Sequence, residues 1–293
     1  MRLFVSPAAA LLVLASLSAG CSADRPESAS ASTAAAAPEW IQLFNGKDLS
    51  GWDVYLGPKM DAKGQKMPGT ETGLNNDPEK VFTAAQEDGG PVIRISGVVG
   101  GGISTVRSFE NYHLRMQMKW GPGNPWNRPR ADSGLLYHAG GDHGLDAGFW
   151  MRSFEFQVMP EMHGDFIPIL GCVAEVPTSS ADGKRYHFDP KGELRTFTRV
   201  KEIPGFGDHV DRLPSKKDPA SGWITLEVYT VGQTAVHVVD GTVVMVLRNT
   251  RLHENGATNP LTSGKIQLQS EGSEVFYRNI ELQPITELPA GLI

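Results

Sequence analysis

The sequence predicts an all-β protein, a sandwich or jelly roll of antiparallel strands. Three observations carry that prediction. Short stretches alternate apolar and polar residues with a period of two, from "PVIRIS" at 91–96 to "EVFYRNIELQPI" at 274–285. Clusters of Gly, Pro, Asn and Asp separate them. No long segment repeats apolar residues every 3.6 positions, so no sizeable helix is expected.

The first residues stand apart from this pattern. "MRLFVSPAAALLVLASLSAGC" has one early positive charge at Arg2, then a short apolar run, then small residues before Cys21. The run is too short to span a bilayer comfortably, so residues 1–21 read as a lipoprotein-type signal peptide whose processing leaves Cys21 lipidated. Ser22, in place of Asp, resembles the sorting pattern of outer-membrane lipoproteins that face the periplasm. Without lipidation the chain would be secreted or periplasmic. Residues 22–39 are rich in Ser and Ala and read as a disordered tether. Residues 40–285 are expected to form one domain without internal repeats, and 286–293 a C-terminal tail.

Within the domain the alternating runs are "YHLRMQMKW" (112–120), "SGLLYHA" (133–139), "FEFQVM" (154–159), "ITLEVYTV" (224–231), "TAVHVVDG" (234–241), "TVVMVLRN" (242–249) and "GKIQLQS" (264–270). Asp240-Gly241 predicts a two-residue hairpin turn. "GVVGGG" at 97–102 lacks the G-x-G-x-x-G spacing and leads into an alternating run. It predicts a place where backbones pass closely, and no nicotinamide or flavin site. The net charge of −6, with both signs interspersed, gives no nucleic-acid footprint. Membrane contact is expected only through the lipid. With Cys21 lipidated, Cys172 has no disulfide partner and reads as core filler.

Several stretches then fit one family. "WIQLFNGKDLSGWDVY" opens the domain, "RPRADSGLLYHAGG" and "FWMRSFEFQV" lie at its middle, and "LTSGKIQLQSEGSEVFYRNIELQPI" closes it. The chain resembles the 3-keto-disaccharide hydrolase domain family, also described as 3-keto-glucoside 1,2-lyase and 3-keto-2-hydroxy-glucal hydratase. The resemblance implies a concanavalin A-like jelly roll of two antiparallel sheets with the ligand on its concave face. It also implies a 3-keto-glycoside or oligosaccharide substrate, made by a separate sugar 3-dehydrogenase. Asp132 stands where such domains usually carry Asn, which adds a charge to the expected cleft.

The chemistry of such a substrate sets the search for site residues. A ketone at C3 acidifies the C2 proton; its removal gives an enolate, and the C1 substituent leaves by β-elimination. Water can then add to the 2-hydroxyglucal. This needs a base near C2, a donor or cation at the 3-keto oxygen, and an acid near the aglycone. His138, in the family's "SGLLYH" pattern and in parity with Leu136, is the expected base. Glu155 and Gln157 share one strand face and form the expected cleft floor; Arg130 is the expected partner of the enolate. Asp132, Ser133, Trp126, His163 and Asp165 complete the expected substrate contacts, with Trp126 as a stacking platform. No cofactor is required, and a divalent metal is left open; its ligands would come from Glu155, His138, His163 and Asp165. His143 and Glu161 are weaker candidates.

Two alternatives stand beside this reading. One is a noncatalytic carbohydrate-binding lipoprotein on the same fold. The other is a laminarinase-like glycoside hydrolase, which needs two carboxyls about 5–5.5 Å apart if retaining or roughly 6.5–9.5 Å if inverting. Glu155 and Glu161 lie six positions apart, roughly 20 Å along a straight strand.

Overall fold

The computed structural model describes residues 39–61, 63–213 and 222–293. The expected signal peptide, Cys21 and nearly all of the tether lie outside the described residues. Residues 38–293 form one compact unit.

Among the described residues there are twenty strands and no helix: β1 Ile41–Gln42, β2 Trp52–Leu56, β3 Gly73–Leu74, β4 Phe82–Glu87, β5 Gly90–Ile95, β6 Gly101–Thr105, β7 Phe109–Glu110, β8 Tyr112–Trp120, β9 Ser133–Gly140, β10 Arg152–Val158, β11 Phe166–Ile169, β12 Cys172–Ser179, β13 His187–Phe188, β14 Glu193–Thr198, β15 Ile224–Val231, β16 Thr234–Val239, β17 Thr242–Glu254, β18 Ala257–Pro260, β19 Ser263–Ser270 and β20 Val275–Pro284. They make two antiparallel sheets. The larger runs β13-β12-β17-β16-β15-β8-β20-β5-β4; the smaller runs β11-β10-β9-β19-β6-β2-β3. The fold is the expected jelly-roll sandwich.

Alternation decides which side chains enter the core. On β8, Tyr112, Leu114, Met116 and Met118 are fully buried, while Arg115 points to solvent. On β10, Phe154, Phe156 and Val158 join the same core from the other sheet. Each fully buried side chain of this size contributes about 1.5–3 kcal/mol relative to exposure. Cys172 is buried in this core without a disulfide. Leu288 and Leu292, in the expected tail, also pack against it, so the final residues add apolar contact to the domain.

Two local predictions hold. Asp240 and Gly241 both have positive φ (45° and 74°) and join β16 to β17 with Val239 facing Thr242, the geometry that a two-residue hairpin demands. At Gly101, a Cβ would lie 2.1 Å from the Tyr55 carbonyl oxygen, so β6 and β2 can approach as they do only without a side chain there.

One local feature departs from simple alternation. Phe154 faces Tyr137, but Arg152 faces Gly140, so β9 carries one extra residue between these pairs. The pairing with β19 shifts at the same place, and His138 has φ 51°. This is a β-bulge centred on His138. Gly264 of β19 crosses tightly against it: a Cβ there would lie 2.3 Å from the His138 carbonyl carbon.

Candidate active site

The bulge determines where the expected base goes. Parity would have put His138 beside Leu136, on the face that carries Glu155. The extra residue turns it into the core instead. Its ring packs edge-on against Tyr137 and Phe154, and against Tyr112 of the opposite sheet, with centroids 5.5, 6.2 and 5.8 Å away. It is 1% exposed, and neither ring nitrogen makes a well-formed hydrogen bond. Burial pushes its pKa down to about 4, with the Leu261 backbone opposing. A group on this side of the sheet does not reach the face that carries Glu155, and the expectation that His138 is the base is corrected.

That other face is built by strand register. Gln157 faces Gly134, Gln269 faces Gly102, and Gly102 faces Tyr55, all on side chains that alternate with core residues. One step along, Glu155 faces Leu136, Leu136 faces Gln267, Gln267 faces Ser104, and Ser104 faces Asp53. The floor is thus polar at Glu155, Gln157, Gln267 and Gln269. Residues 141–151 fold across it: Trp150 Nε1 donates to the Gly101 carbonyl at 3.1 Å, and Met151 N donates to Gln267 Oε1 at 3.1 Å. The floor glycines make room. A Cβ on Gly134 would lie 2.5 Å from Glu155 Oε1 and 2.4 Å from Gln269 Oε1.

Glu155 sits here 5% exposed, with no hydrogen-bond donor on its carboxylate among the described residues. Burial raises its pKa well above the usual carboxylate range. Repulsion from Glu271, Asp132 and Asp146 adds to the rise, and the charge of Arg199 opposes it. An isolated carboxylate is costly to bury, so burial here favours the protonated form.

The surrounding acids are organised by two arginines. Arg128 Nη1 donates to Asp132 Oδ2 at 2.6 Å and Arg128 Nη2 to Glu271 Oε1 at 2.7 Å. One guanidinium therefore serves two carboxyls, Asp132 buried and Glu271 half-buried. Burial raises Asp132 to about 6 against the pull of Arg128, and leaves its Oδ1 without a partner. Burial, then repulsion from Asp132, raises Glu271 to about 8, again with Arg128 opposing. Arg199 lies 3.9 Å from Asp146, whose pKa burial also raises. Groups shifted by burial and by specific charge partners make this floor the candidate functional site.

The remaining expected residues divide. Gln157 shares the floor, its Oε1 accepting from the Val158 backbone at 3.0 Å. Trp126 is half-buried beside the cluster, with the Arg128 guanidinium 5.4 Å from its ring centroid. Ser133 points the other way: its Oγ bonds the Gln269 carbonyl at 2.9 Å and lies 3.0 Å from Tyr277 Oη inside the core. Being opposite Val158, it shares that residue's inward direction, and it is not a ligand contact. Arg130 is exposed, with Met162 Sδ 3.9 Å from its Nη1. Among the described residues it forms no ion pair with the cluster, whose cations are Arg128 and Arg199. Glu161 is exposed on the turn after β10. His143 stacks on Tyr55, 5.8 Å between centroids, four strands away from Glu155.

His163 and Asp165 lie in the turn that folds back after β10. His163 is buried, 6.5 Å from the ring of Trp120. Asp165 accepts from Arg212 N at 2.7 Å and pairs with His209 Nε2 at 2.8 Å, which fastens residues 209–212 along the sheet edge. The four expected metal ligands are therefore not brought together: His138 faces the core, Glu155 the floor, and Asp165 is held by His209 and Arg212. A different trio, Asp165, His209 and Asp211, has ligand atoms within 4.8 Å of one another. Its carboxylates already have partners, since Arg185 binds Asp211 through both Nε and Nη2. This donor set does not fit a metal as it stands.

Sequence reasoning missed Arg128, Asp146, Arg199 and Glu271. Glu271 was within reach, because it continues the period-two series Gln267, Gln269 just past β19. The other three come from loops whose placement depends on distant contacts.

Fold and site together define a two-sheet jelly roll with a carboxyl cluster on one floor. The chain belongs to the 3-keto-α-glucoside-1,2-lyase-like domain family, whose profile matches residues 39–283. No curated protein sequence matches it significantly. Among solved structures, a provisionally assigned glycosyl hydrolase from Parabacteroides distasonis is 17% identical, covers 84% of this chain and 94% of its own, and has a TM-score of 0.47. A β-glucanase from Bacillus licheniformis is 11% identical over 86% of this chain and 99% of its own, with a TM-score of 0.38. A carbohydrate-binding module from Bacillus subtilis is 12% identical over 69% and 91%, with a TM-score of 0.37. Scores below 0.5 carry no argument about activity.

Proposed function

We propose that this protein cleaves 3-keto-glycosides by β-elimination across C1–C2 and hydrates the 2-hydroxyglucal that results. The observation that carries this reading is Glu155, a buried carboxyl without a donor, set among three other acids above Gly134. A carbon acid next to a ketone needs a base stronger than an ordinary carboxylate, and a raised pKa supplies one. Glu155, in its ionised form, takes the C2 proton. The C1–O bond breaks as the C1–C2 double bond forms, and the aglycone oxygen receives a proton. Glu271, which holds its proton to about pH 8, suits that donation. Arg199, whose Nε donates to Asp208 at 3.2 Å and whose charge reaches Glu155, is the cation assigned to the enolate oxygen. For hydration, water adds as hydroxyl to C1 and gives its proton to the Glu271 carboxylate, while Glu155 returns a proton to C2. Elimination followed by hydration amounts to hydrolysis without a glycosyl-enzyme.

Perturbed carboxyls favour this over a binding module, which would need an aromatic platform and no titrating pair. Glu161, exposed on a turn, offers no second carboxyl of a hydrolytic dyad. The same reading keeps the chain anchored through lipidated Cys21, facing the periplasm, and dependent on a separate dehydrogenase for substrate. Membrane partition of Cys21→Ala tests the anchor: undiminished lipid labelling in that variant would count against it.

The test of the chemistry is incubation with a 3-keto-glucoside and with the parent glucoside. Aglycone release and a transient ultraviolet-absorbing enone are expected from the keto sugar alone. Turnover of the parent sugar alone would overturn the elimination mechanism.

A further inference from the structure

Beside the carboxyl cluster lies a cleft of about 480 Å³ whose wall includes Met60, Val98, Pro125, Trp126 and Arg128. We propose that this cleft is the aglycone subsite and that it takes a planar, apolar aglycone, such as an aryl group, in preference to a second sugar. The proposal rests on the reading above, that the chain acts on 3-keto-glycosides.

Position is the first argument. Arg128 forms part of the cleft wall and also holds Asp132 and Glu271. The Arg128 guanidinium thus links the cleft to Glu271, the side chain assigned to protonate the leaving oxygen.

The second argument is the chemistry of the wall. The Trp126 ring lies over Gly272, where a Cβ would come within 2.6 Å of three ring atoms. Its Nε1 donates to the Val98 carbonyl at 3.3 Å. The ring is thus fixed as a flat surface. Val98 is 42% exposed and part of the same wall. The polar groups nearby are mostly engaged. Asp61 Oδ1 accepts from the backbone of Lys63 and Gln65 at 2.8 Å each, and Arg128 is paired twice. Asn127 is left to bind a ligand hydroxyl. A second sugar brings several hydroxyls, each of which must find a partner when it leaves water. A planar apolar group needs area, which Met60, Val98, Pro125 and Trp126 provide. The volume lies in the usual range for small-ligand pockets, about 300–1,000 Å³.

The test compares 4-nitrophenyl 3-keto-glucoside with a 3-keto-disaccharide, using the full-length chain and Trp126→Ala and Trp126→Phe. The expected result is a KM about tenfold higher for the aryl substrate in Trp126→Ala, a smaller rise for the disaccharide, and recovery in Trp126→Phe. An equal loss on both substrates, or none on either, overturns the proposal. Binding of unoxidised 4-nitrophenyl glucoside, followed by quenching of tryptophan fluorescence, separates this proposal from the one it rests on. Binding that Trp126→Ala abolishes, with no turnover of any keto sugar, would keep an aryl site and end the catalytic reading. Turnover of both keto sugars with aryl binding unchanged in Trp126→Ala would keep the catalytic reading and end the aglycone assignment.

Discussion

Glu155 and Gln269 converge above a glycine: the Oε1 atoms of both side chains lie within 2.5 Å of the point where Gly134 would carry a Cβ. Two acceptors brought together in this way favour the protonated form of the acid, and Gln269 Oε1 has no donor of its own. A methyl group at Gly134 must push both aside. Gly134→Ala is expected to cost about 1–3 kcal/mol through overpacking. It should also lower kcat more than it raises KM. Thermal unfolding and steady-state kinetics check the two effects separately; a variant with native kcat would show that the convergence is incidental.

Glu155→Gln keeps the shape of the side chain and removes its charge. The rate on a 3-keto-glucoside should fall by roughly 10²–10⁴ with little change in KM, the usual scale for a positioned base. Stability should change in the opposite sense. Glu155 and Glu271 have raised folded pKa values, so the folded state binds more protons than the unfolded one at intermediate pH. Their contribution to stability is full below about pH 4.5 and is lost as pH rises, for Glu271 through about 8. Denaturant unfolding across this window should show a decline that Glu155→Gln makes shallower. An unchanged slope would contradict the assigned direction.

The activity profile should be bell-shaped. Its two limbs belong to the interacting pair Glu155 and Glu271, the acid limb lying above the usual carboxylate range and the alkaline limb involving loss of the Glu271 proton near pH 8. Glu271→Gln should remove the alkaline limb. Arg128→Gln should move it to higher pH, because the guanidinium is the cation opposing both raised pKa values. An alkaline limb that survives in Glu271→Gln would assign the acid to another group.

His138 predicts a different behaviour, because it sits in the core. Its folded pKa is about 4, as is that of His237, each lowered by burial from an ordinary 6.5. The unfolded chain therefore binds these protons first, and the stability they support is lost as pH falls from about 6.5 to 4. His138→Phe should reduce this acid sensitivity and leave kcat within about threefold of wild type, since no catalytic step uses the ring. A hundredfold loss of kcat with unchanged stability would return His138 to the mechanism. His237 differs in having both nitrogens engaged: Nδ1 lies 2.9 Å from the Gly164 carbonyl, which can only accept, so Nε2 accepts from Tyr137 Oη at 2.9 Å.

Period-two alternation made the strands of both sheets legible, as well as the Asp240-Gly241 turn and the floor pair Glu155 and Gln157. Short or polar strands such as β13 and β18 carry no such signal, because two to four residues cannot establish a period. The site was only half legible. Parity is a local rule, and one inserted residue at the bulge reversed it for His138. Ser133 was misread by following motif position instead of parity, although its place opposite Val158 sends it inward. Arg128, Asp146 and Arg199 sit in loops, where nothing periodic fixes direction and tertiary contacts decide.

The position of β19 sets when the protein can acquire its chemistry. This strand begins at Ser263, yet it lies in the middle of the smaller sheet, between β9 and β6. Until the last tenth of the chain arrives, that sheet is two separate halves with open edges, and Gln267, Gln269 and Glu271 have no floor to complete. A chain made or exported from its N-terminus therefore passes almost its whole synthesis inactive and with two edges free to pair wrongly. Shielding those edges is a requirement on its biogenesis, and truncation near the C-terminus would remove the centre of the site rather than trim its margin.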